Sequence, residues 1–368
     1  MREIISFFNP KRATESIFFS LCFEQIAMSM MNGIIDNDKE NTGMSRVQNE
    51  KLTWLKEQAT NMHQVGKNCQ PYSHFSKTFI TFVCEMSQYA VRPKKNLGQH
   101  FLNDMGIASR IADTVDCRPD LPVLEVGPGT GALTEFLLRK RRDTRVVEID
   151  DESIAYLREH FPMLRNNIIE GDFLRMDLDK LFDGKPFLLT GNYPYNISSQ
   201  IFFKMLDYKD LIPCCTGMIQ KEVAERLCSR PGNKAYGILS VLLQAWYDTE
   251  YLFTVPETVF TPPPKVKSAV IRFTRNQTTD LGCDETLFKR IVKTTFNQRR
   301  KMMKGSIKPL LSQLDNQRRQ SQPSLQETDH TPLLAMPVFT KRPEQLSVAD
   351  FIELTNIIAQ HYKESQTD

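Results

Sequence analysis

From Leu121 onward, short apolar runs alternate with stretches whose apolar residues recur at helical spacing. Pro122-Val-Leu-Glu-Val126 reads as a strand that ends in a glycine-rich turn, and Leu133 to Leu138 begins a helix. Arg145-Val-Val-Glu-Ile149, Ile168-Ile169-Glu170 and Phe187-Leu-Leu-Thr190 read as three more strands, with a helix at Glu152 to Glu159. This alternation predicts a parallel sheet with helices on both faces, an α/β fold. Met218 to Ser229 and Gly237 to Trp246 have helical patterns, whereas Asp248 to Val255 and Ser268 to Thr274 read as strands. The stiff Pro262-Pro263-Pro264 lies between those strands. Beyond Thr274 the pattern is helical, at Glu285 to Phe296, Lys301 to Leu314 and Val348 to His361.

These shifts suggest three parts. Residues 86–275 form the α/β domain. Residues 276–368 form a small all-helical domain with a flexible insert at 315–331, rich in Gln, Ser and Asp. Residues 1–85 hold three Gly and six Met and show no strand–helix alternation. They are expected to be a dispensable, weakly structured extension, or the product of a start placed too far upstream.

Composition removes several function classes. The 368 residues suit two domains, and 40% hydrophobic with 25% charged residues is ordinary for a globular protein. No run of about 18 apolar residues exists to cross a membrane, and Glu3, Glu15 and Glu24 flank the apolar run Ile17 to Phe23, unlike a secretory signal. Eight cysteines without a C-x-x-C pair point to reduced thiols in the cytoplasm and no structural zinc. The net charge of +3 hides a local excess: residues 286–320 carry ten basic side chains and one acidic, Asp315. That stretch fits a polyanion, or a solvated helix face.

Glu125-Val-Gly-Pro-Gly-Thr-Gly131 follows a strand and opens a helix, with Gly127 and Gly129 allowing a sharp turn and close approach to a ligand. Taken alone it also suits a dinucleotide site. Glu148 ends the second strand, where a carboxylate can accept both hydroxyls of a ribose. Asp172 follows the third strand and suits either an adenine amine or a helix cap. Asn192-Tyr193-Pro194-Tyr195 ends the fourth strand, at the same edge. The Asn192 amide oxygen and the Tyr193 carbonyl are two acceptors for the N–H bonds of an exocyclic amine. Tyr195 offers a face for stacking a base. Such a tetrapeptide after a strand suits methylation of a nucleobase amino group.

Lys94 to Asn103, Glu125 to Gly131, Gly191 to Asn196, Phe260-Thr-Pro-Pro-Pro-Lys-Val-Lys-Ser268 and Phe296-Asn-Gln-Arg-Arg-Lys301 occur in that order. Over about residues 90–362 the chain resembles the small-subunit ribosomal RNA adenine dimethyltransferases, whose loss gives kasugamycin resistance in bacteria. The resemblance implies a Rossmann-like S-adenosylmethionine-dependent methyltransferase domain and a small helical C-terminal domain. It further implies N6 dimethylation of two adjacent adenosines in the 3′-terminal hairpin of 16S rRNA, with a role in small-subunit biogenesis. The matched cofactor contacts are His100, Leu102, Gly127, Glu148, Asp172 and Asn192. The implied RNA contacts are Arg299, Arg300 and Lys301. Phe260 is the candidate for the side of the target base opposite Tyr195. The expected partner is the small ribosomal subunit, with no membrane, no metal and the chain as a monomer.

Three departures stand out. His100 replaces a frequent Asn, Tyr193 a common Leu, and Met302-Met303-Lys304-Gly305 lacks one expected base. Two rival readings stay open on residues alone: an rRNA-binding assembly factor without catalysis, and a nicotinamide dehydrogenase, which leaves Asn192 to Tyr195 unexplained.

Overall fold

A computed structural model describes residues 91–140, 142–164, 166–321 and 328–364. The chain divides after Tyr72, and every described residue lies in the second unit, Ser73–Asp368. The expectation for residues 1–85 lies outside the described residues.

A two-stranded ribbon joins β1 (Phe101–Leu102) to β8 (Phe260–Thr261). The centre is a separate seven-stranded sheet. Its strands are β2 (Val123–Val126), β3 (Thr144–Glu148), β4 (Ile168–Glu170), β5 (Leu188–Thr190), β6 (Cys214–Gln220), β7 (Tyr247–Val255) and β9 (Ser268–Arg275). They lie in the order β4-β3-β2-β5-β6-β9-β7. The first five are parallel, as the alternation predicts, but β9 runs antiparallel to both β6 and β7. The sheet is therefore mixed. A return from β7 to β9 without a crossover helix forces that direction.

Strand alternation splits neighbouring residues between two cores. Val123, Leu188, Cys214, Met218 and Val270 pack on one face, with Ile111 of α1 (Met105–Asp113) and Leu137 of α2 (Ala132–Arg139). Leu124, Leu189, Cys215, Ile219 and Ile271 pack on the other face, with Ile201 and Phe202 of α4 (Ser198–Asp207). Helix α3 (Asp151–His160) follows β3, α5 (Lys221–Leu227) follows β6, and α6 (Ile238–Gln244) precedes β7.

The helical region contains α7 (Glu285–Asn297), α8 (Met303–Ser306), α9 (Lys308–Ser321), α10 (Thr331–Leu334) and α11 (Val348–Glu364). Helix α7 buries Phe288, Ile291, Val292, Thr295 and Phe296, a single stripe at helical spacing. Its N-cap Asp284 accepts from the Leu287 N–H at 2.8 Å. Phe288 and Phe351 share one continuous core with Leu239 of α6 and Phe273 of β9. The boundary at 275/276 is thus a change of secondary structure and not a break in the core.

Three local expectations need correction. Met218 to Gln220 is strand, because Ile219 and Gln220 pair with Ala269 and Ser268. Lys301 to Leu314 is two helices, with Pro309 near the start of the second. The insert expected from Asp315 is helical as far as Ser321, and Asp315 accepts from the Tyr362 hydroxyl at 2.8 Å. Beyond it, residues 322–327 lie outside the described residues. No described helix is long and apolar enough to cross a membrane.

Candidate active site

The carboxyl ends of β2, β3, β4 and β5 converge on one pocket. It is lined by His100, Leu102, Gly127, Gly129, Glu148, Asp172 and Asn192 to Tyr195. The parallel order places four strand ends, far apart in sequence, side by side.

The glycine turn is shaped by what surrounds it. Gly129 has φ of 56°, and a Cβ there would come within 2.8 Å of the Phe101 ring. Its N–H donates to Glu148 Oε2 at 3.1 Å. Glu148 Oε1 accepts from the Ile149 and Asp150 N–H groups at 2.8 and 3.0 Å. A carboxylate offers about four lone-pair sites, so Glu148 keeps room for one ribose hydroxyl at Oε2 and not for two. Burial raises its pKa, against the pull of the three backbone N–H groups.

Glu125, the first residue of the glycine-loop motif and not among the candidate site residues, lies beneath the turn, 1% exposed. Thr134 Oγ1 donates to its Oε2 at 2.6 Å. Burial pushes the Glu125 carboxyl up to about 8. The Thr134 hydrogen bond opposes this, and the charge of Glu148 adds to it.

The tetrapeptide is locked from both sides. Asn192 bridges to Met218 of β6, and the Tyr193 N–H donates to the Met218 carbonyl at 3.0 Å. Asn192 Nδ2 donates to the His100 carbonyl at 2.9 Å. Only the amide nitrogen can serve that carbonyl, so Oδ1 is the remaining acceptor. The Tyr193 side chain is fully buried, and its hydroxyl donates to the Thr216 carbonyl at 3.0 Å. Gly217, φ 151°, makes room for it: a Cβ there would lie 2.6 Å from Tyr193 Cε2. The Tyr195 hydroxyl bonds Ser268 Oγ, and its ring lies 5.3 Å from the His100 ring at an interplanar angle of 28°.

Residues 97–102 line another side of the pocket, and their neighbours fix them in place. Lys94 pairs with the buried Asp150 at the start of α3. His100 Nδ1 donates to the Pro262 carbonyl at 2.7 Å, and Asn103 Nδ2 donates to Thr261 Oγ1 at 2.6 Å. His100 therefore acts here through its backbone carbonyl as well as its ring. Asp172 is both a cap and a pocket-lining residue. It caps the turn at Phe173–Arg175, accepting from the Leu174 N–H at 2.9 Å, and it lines the pocket.

Two residues are placed differently from what their assignments suggest. Phe260 is 2% exposed and packed in the core with Leu102 and Val255, so it does not face the pocket. Pairing of Leu102 with Phe260 across the β1–β8 ribbon turns its ring inward. Arg299 is engaged within the chain: its Nη2 donates to the Asn233 carbonyl at 3.2 Å, and its Nε lies 3.7 Å from Glu344 Oε2. Arg300 and Lys301 are exposed. None of the basic three lies at the pocket. Gln99, Asp150 and Ser268 hold the site together, and none of them is among the residues singled out as a candidate from the sequence.

The pocket thus joins carboxylates at two strand ends, a glycine turn and the free amide oxygen of Asn192. That set suits a cationic nucleoside ligand beside an amine. Among the described residues, no group of three or more His, Cys, Asp or Glu is placed to hold a metal.

The model of the family "Ribosomal RNA adenine dimethylase" matches residues 90–332. A protein called ribosomal RNA small subunit methyltransferase A from Phocaeicola vulgatus is 68% identical over 266 residues, 72% of this chain and 89% of that protein. The protein of the same name from Porphyromonas gingivalis is 56% identical over 271 residues, 73% and 99% of the two chains. The fold is also similar to that of a crystal structure of a dimethyladenosine transferase from Plasmodium falciparum. Its TM-score is 0.61 and its identity 24%, over 72% of this chain and 98% of that one.

Proposed function

The chain belongs to the ribosomal RNA adenine dimethylase family, and on that premise we propose how its residues divide the work. The protein is an S-adenosylmethionine-dependent rRNA adenine-N6 dimethyltransferase of the 16S rRNA. We place its substrate at two adjacent adenosines of the 3′-terminal hairpin, presented on the small ribosomal subunit.

Glu148 would hold one ribose hydroxyl of the cofactor, Asp172 its adenine amine, and the turn at Gly127 and Gly129 its amino-acid end. The fit rests on the left-handed turn at Gly127 and Gly129, which lines the pocket, and on the spare lone pair of Glu148. The bound cofactor supplies a methyl group already activated on a sulfonium.

The observation that carries the catalytic reading is the Asn192 amide. With Nδ2 committed to the His100 carbonyl, Oδ1 is preset as an acceptor at the carboxyl end of a central strand. The adenine N6 lone pair is delocalised into its ring. Accepting its two N–H bonds, by Asn192 Oδ1 and the Tyr193 carbonyl, favours a pyramidal nitrogen whose lone pair is available. Those bonds strengthen as the nitrogen gains positive charge, so they favour the transition state over the bound substrate. Pro194 fixes the chain direction immediately after the Tyr193 carbonyl. Orientation can supply roughly 7–11 kcal/mol, and no strong base is needed before attack. The base must leave its stack to enter. Tyr195 receives it, held in place by Ser268 and His100.

Radiolabelled methyl transfer to undermethylated small subunits tests this with Asn192→Ala. Loss of a hydrogen bond to a charge-bearing nitrogen, about 1.5–3 kcal/mol, lowers turnover roughly 10- to 150-fold. Subunit binding should persist. Equal turnover in the variant and the parent would remove Asn192 from the chemistry.

A further inference from the structure

Cys214 and Cys215 are adjacent, yet strand alternation sends them to opposite faces of the sheet. Cys215 meets the Tyr193 hydroxyl at 3.2 Å. Cys214, the first residue of β6, instead points toward the short helix Thr114–Cys117 that follows α1. There its Sγ lies 3.2 Å from Cys117 Sγ, across 97 residues of sequence. The same two elements are tied by Thr216 Oγ1, which donates to Thr114 Oγ1 at 2.6 Å.

We propose that Cys117 and Cys214 are a peroxide-responsive oxidation site that closes into a reversible disulfide. The sulfurs need approach by only about 1.2 Å to reach bonding distance. The two thiols differ in exposure and in surroundings. Cys117 is exposed to an oxidant and Cys214 is buried behind it. A hydrogen bond from Cys214, with the Arg272 and Arg118 guanidiniums nearby, lowers the Cys117 thiol to about 6. Arg272 is itself fixed by a two-point bond to Glu250, at 3.0 and 2.7 Å. The neighbouring Cys117 and burial hold Cys214 well above the ordinary thiol range. Cys117 is thus the nucleophile; once it is oxidised its charge no longer holds the Cys214 proton, and Cys214 is the thiol within reach to resolve it.

The chemistry balances with hydrogen peroxide as oxidant. The Cys117 thiolate attacks one peroxide oxygen, the O–O bond breaks, and the departing hydroxide takes a proton to become water. Cys117 is then a sulfenic acid. The Cys214 sulfur attacks the Cys117 sulfur, the S–O bond breaks, and the Cys214 proton leaves with that oxygen as a second water. Two electrons pass from the thiol pair to one peroxide. A dithiol reverses the bridge by exchange. Cys214 lies at the end of β6 remote from Met218, which braces the tetrapeptide, so the bridge ties the segment after α1 to the sheet without touching the pocket. Oxidation should raise thermal stability and leave methyl transfer unchanged.

The test uses the full chain treated with one equivalent of hydrogen peroxide, digested without reductant and read by mass spectrometry. The expected product is one peptide pair joining 117 to 214, two hydrogens lighter than the separate peptides and released by dithiothreitol. Its formation should raise Tm by several degrees. Cys117→Ser should form no bridge and show no such rise. Cys214→Ala should stop at a Cys117 sulfenic acid that dimedone traps. Because Cys117 is exposed, the serine variant is a folded control even if the alanine variant is not. A bridge through Cys22, Cys69 or Cys84 would overturn the proposal. So would Cys117 oxidised to sulfinic acid beside an intact Cys214 thiol.

Discussion

Glu125→Gln should remove a pH dependence of this protein's stability from a window that few other groups occupy. Glu125 is 1% exposed, takes one hydrogen bond from Thr134, and faces the charge of Glu148. Folding therefore raises its pKa from 4.5 to about 8. A raised carboxyl pKa means that the folded state binds the proton more tightly than the unfolded chain. The resulting stability is complete below the unfolded value and is lost as pH rises toward the folded one. A tenfold difference in proton affinity between the two states corresponds to about 1.36 kcal/mol, so the loss between those limits is at most about 5 kcal/mol. Glutamine resembles the protonated acid, since its amide oxygen can still accept from Thr134, and it does not titrate. Urea denaturation of both proteins from about pH 5 to about pH 9 gives the difference in stability, in which the shared groups cancel. The parent should match the variant at the acid end and fall below it at the alkaline end. A difference independent of pH would refute the reasoning. So would a parent that gains on the variant as pH rises, because the carboxylate would then be ionised and compensated in the fold.

Tyr193→Phe removes a fully buried hydroxyl from the Thr216 carbonyl and should cost about 1–2 kcal/mol in denaturation, with methyl transfer retained, because the proposed catalytic atom is the backbone oxygen. Tyr193→Leu should cost more, since it also empties the space that Gly217 opens; equal stability of the two variants would contradict this. Glu148→Gln turns an NH₂ group toward backbone N–H donors, and calorimetry should show S-adenosylmethionine binding weakened about 10- to 100-fold. Unchanged affinity would take Glu148 out of the site. Arg300→Ala with Lys301→Ala should flatten the salt dependence of subunit binding by about 0.7–0.9 log units per lost phosphate contact, leaving cofactor affinity as it was. Arg299→Ala should instead lower stability through its bonds to Asn233 and Glu344; a matching change of salt slope would restore it as an RNA contact.

Local and periodic features of this protein are legible in its residues alone. Four strand ends carry Gly127, Glu148, Asp172 and Asn192, and any doubly wound sheet must gather such ends at one edge. The glycine turn, the caps and the stripe of α7 are likewise written within a few residues of one another. Other features depend on partners far along the chain. Phe260 has the composition of a stacking residue, but the β1–β8 pairing turned it into the core. Arg299 stands in a basic run, but the residues that neutralise and hold it lie at Asn233 and Glu344. Met218 to Gln220 follows a helical pattern until β9 pairs with it. The Tyr193 hydroxyl, the free oxygen of Asn192 and the contact of Cys117 with Cys214 have no local signature either. Each is fixed by which strands become neighbours, and hydrophobic spacing specifies a face to be buried without naming what will cover it.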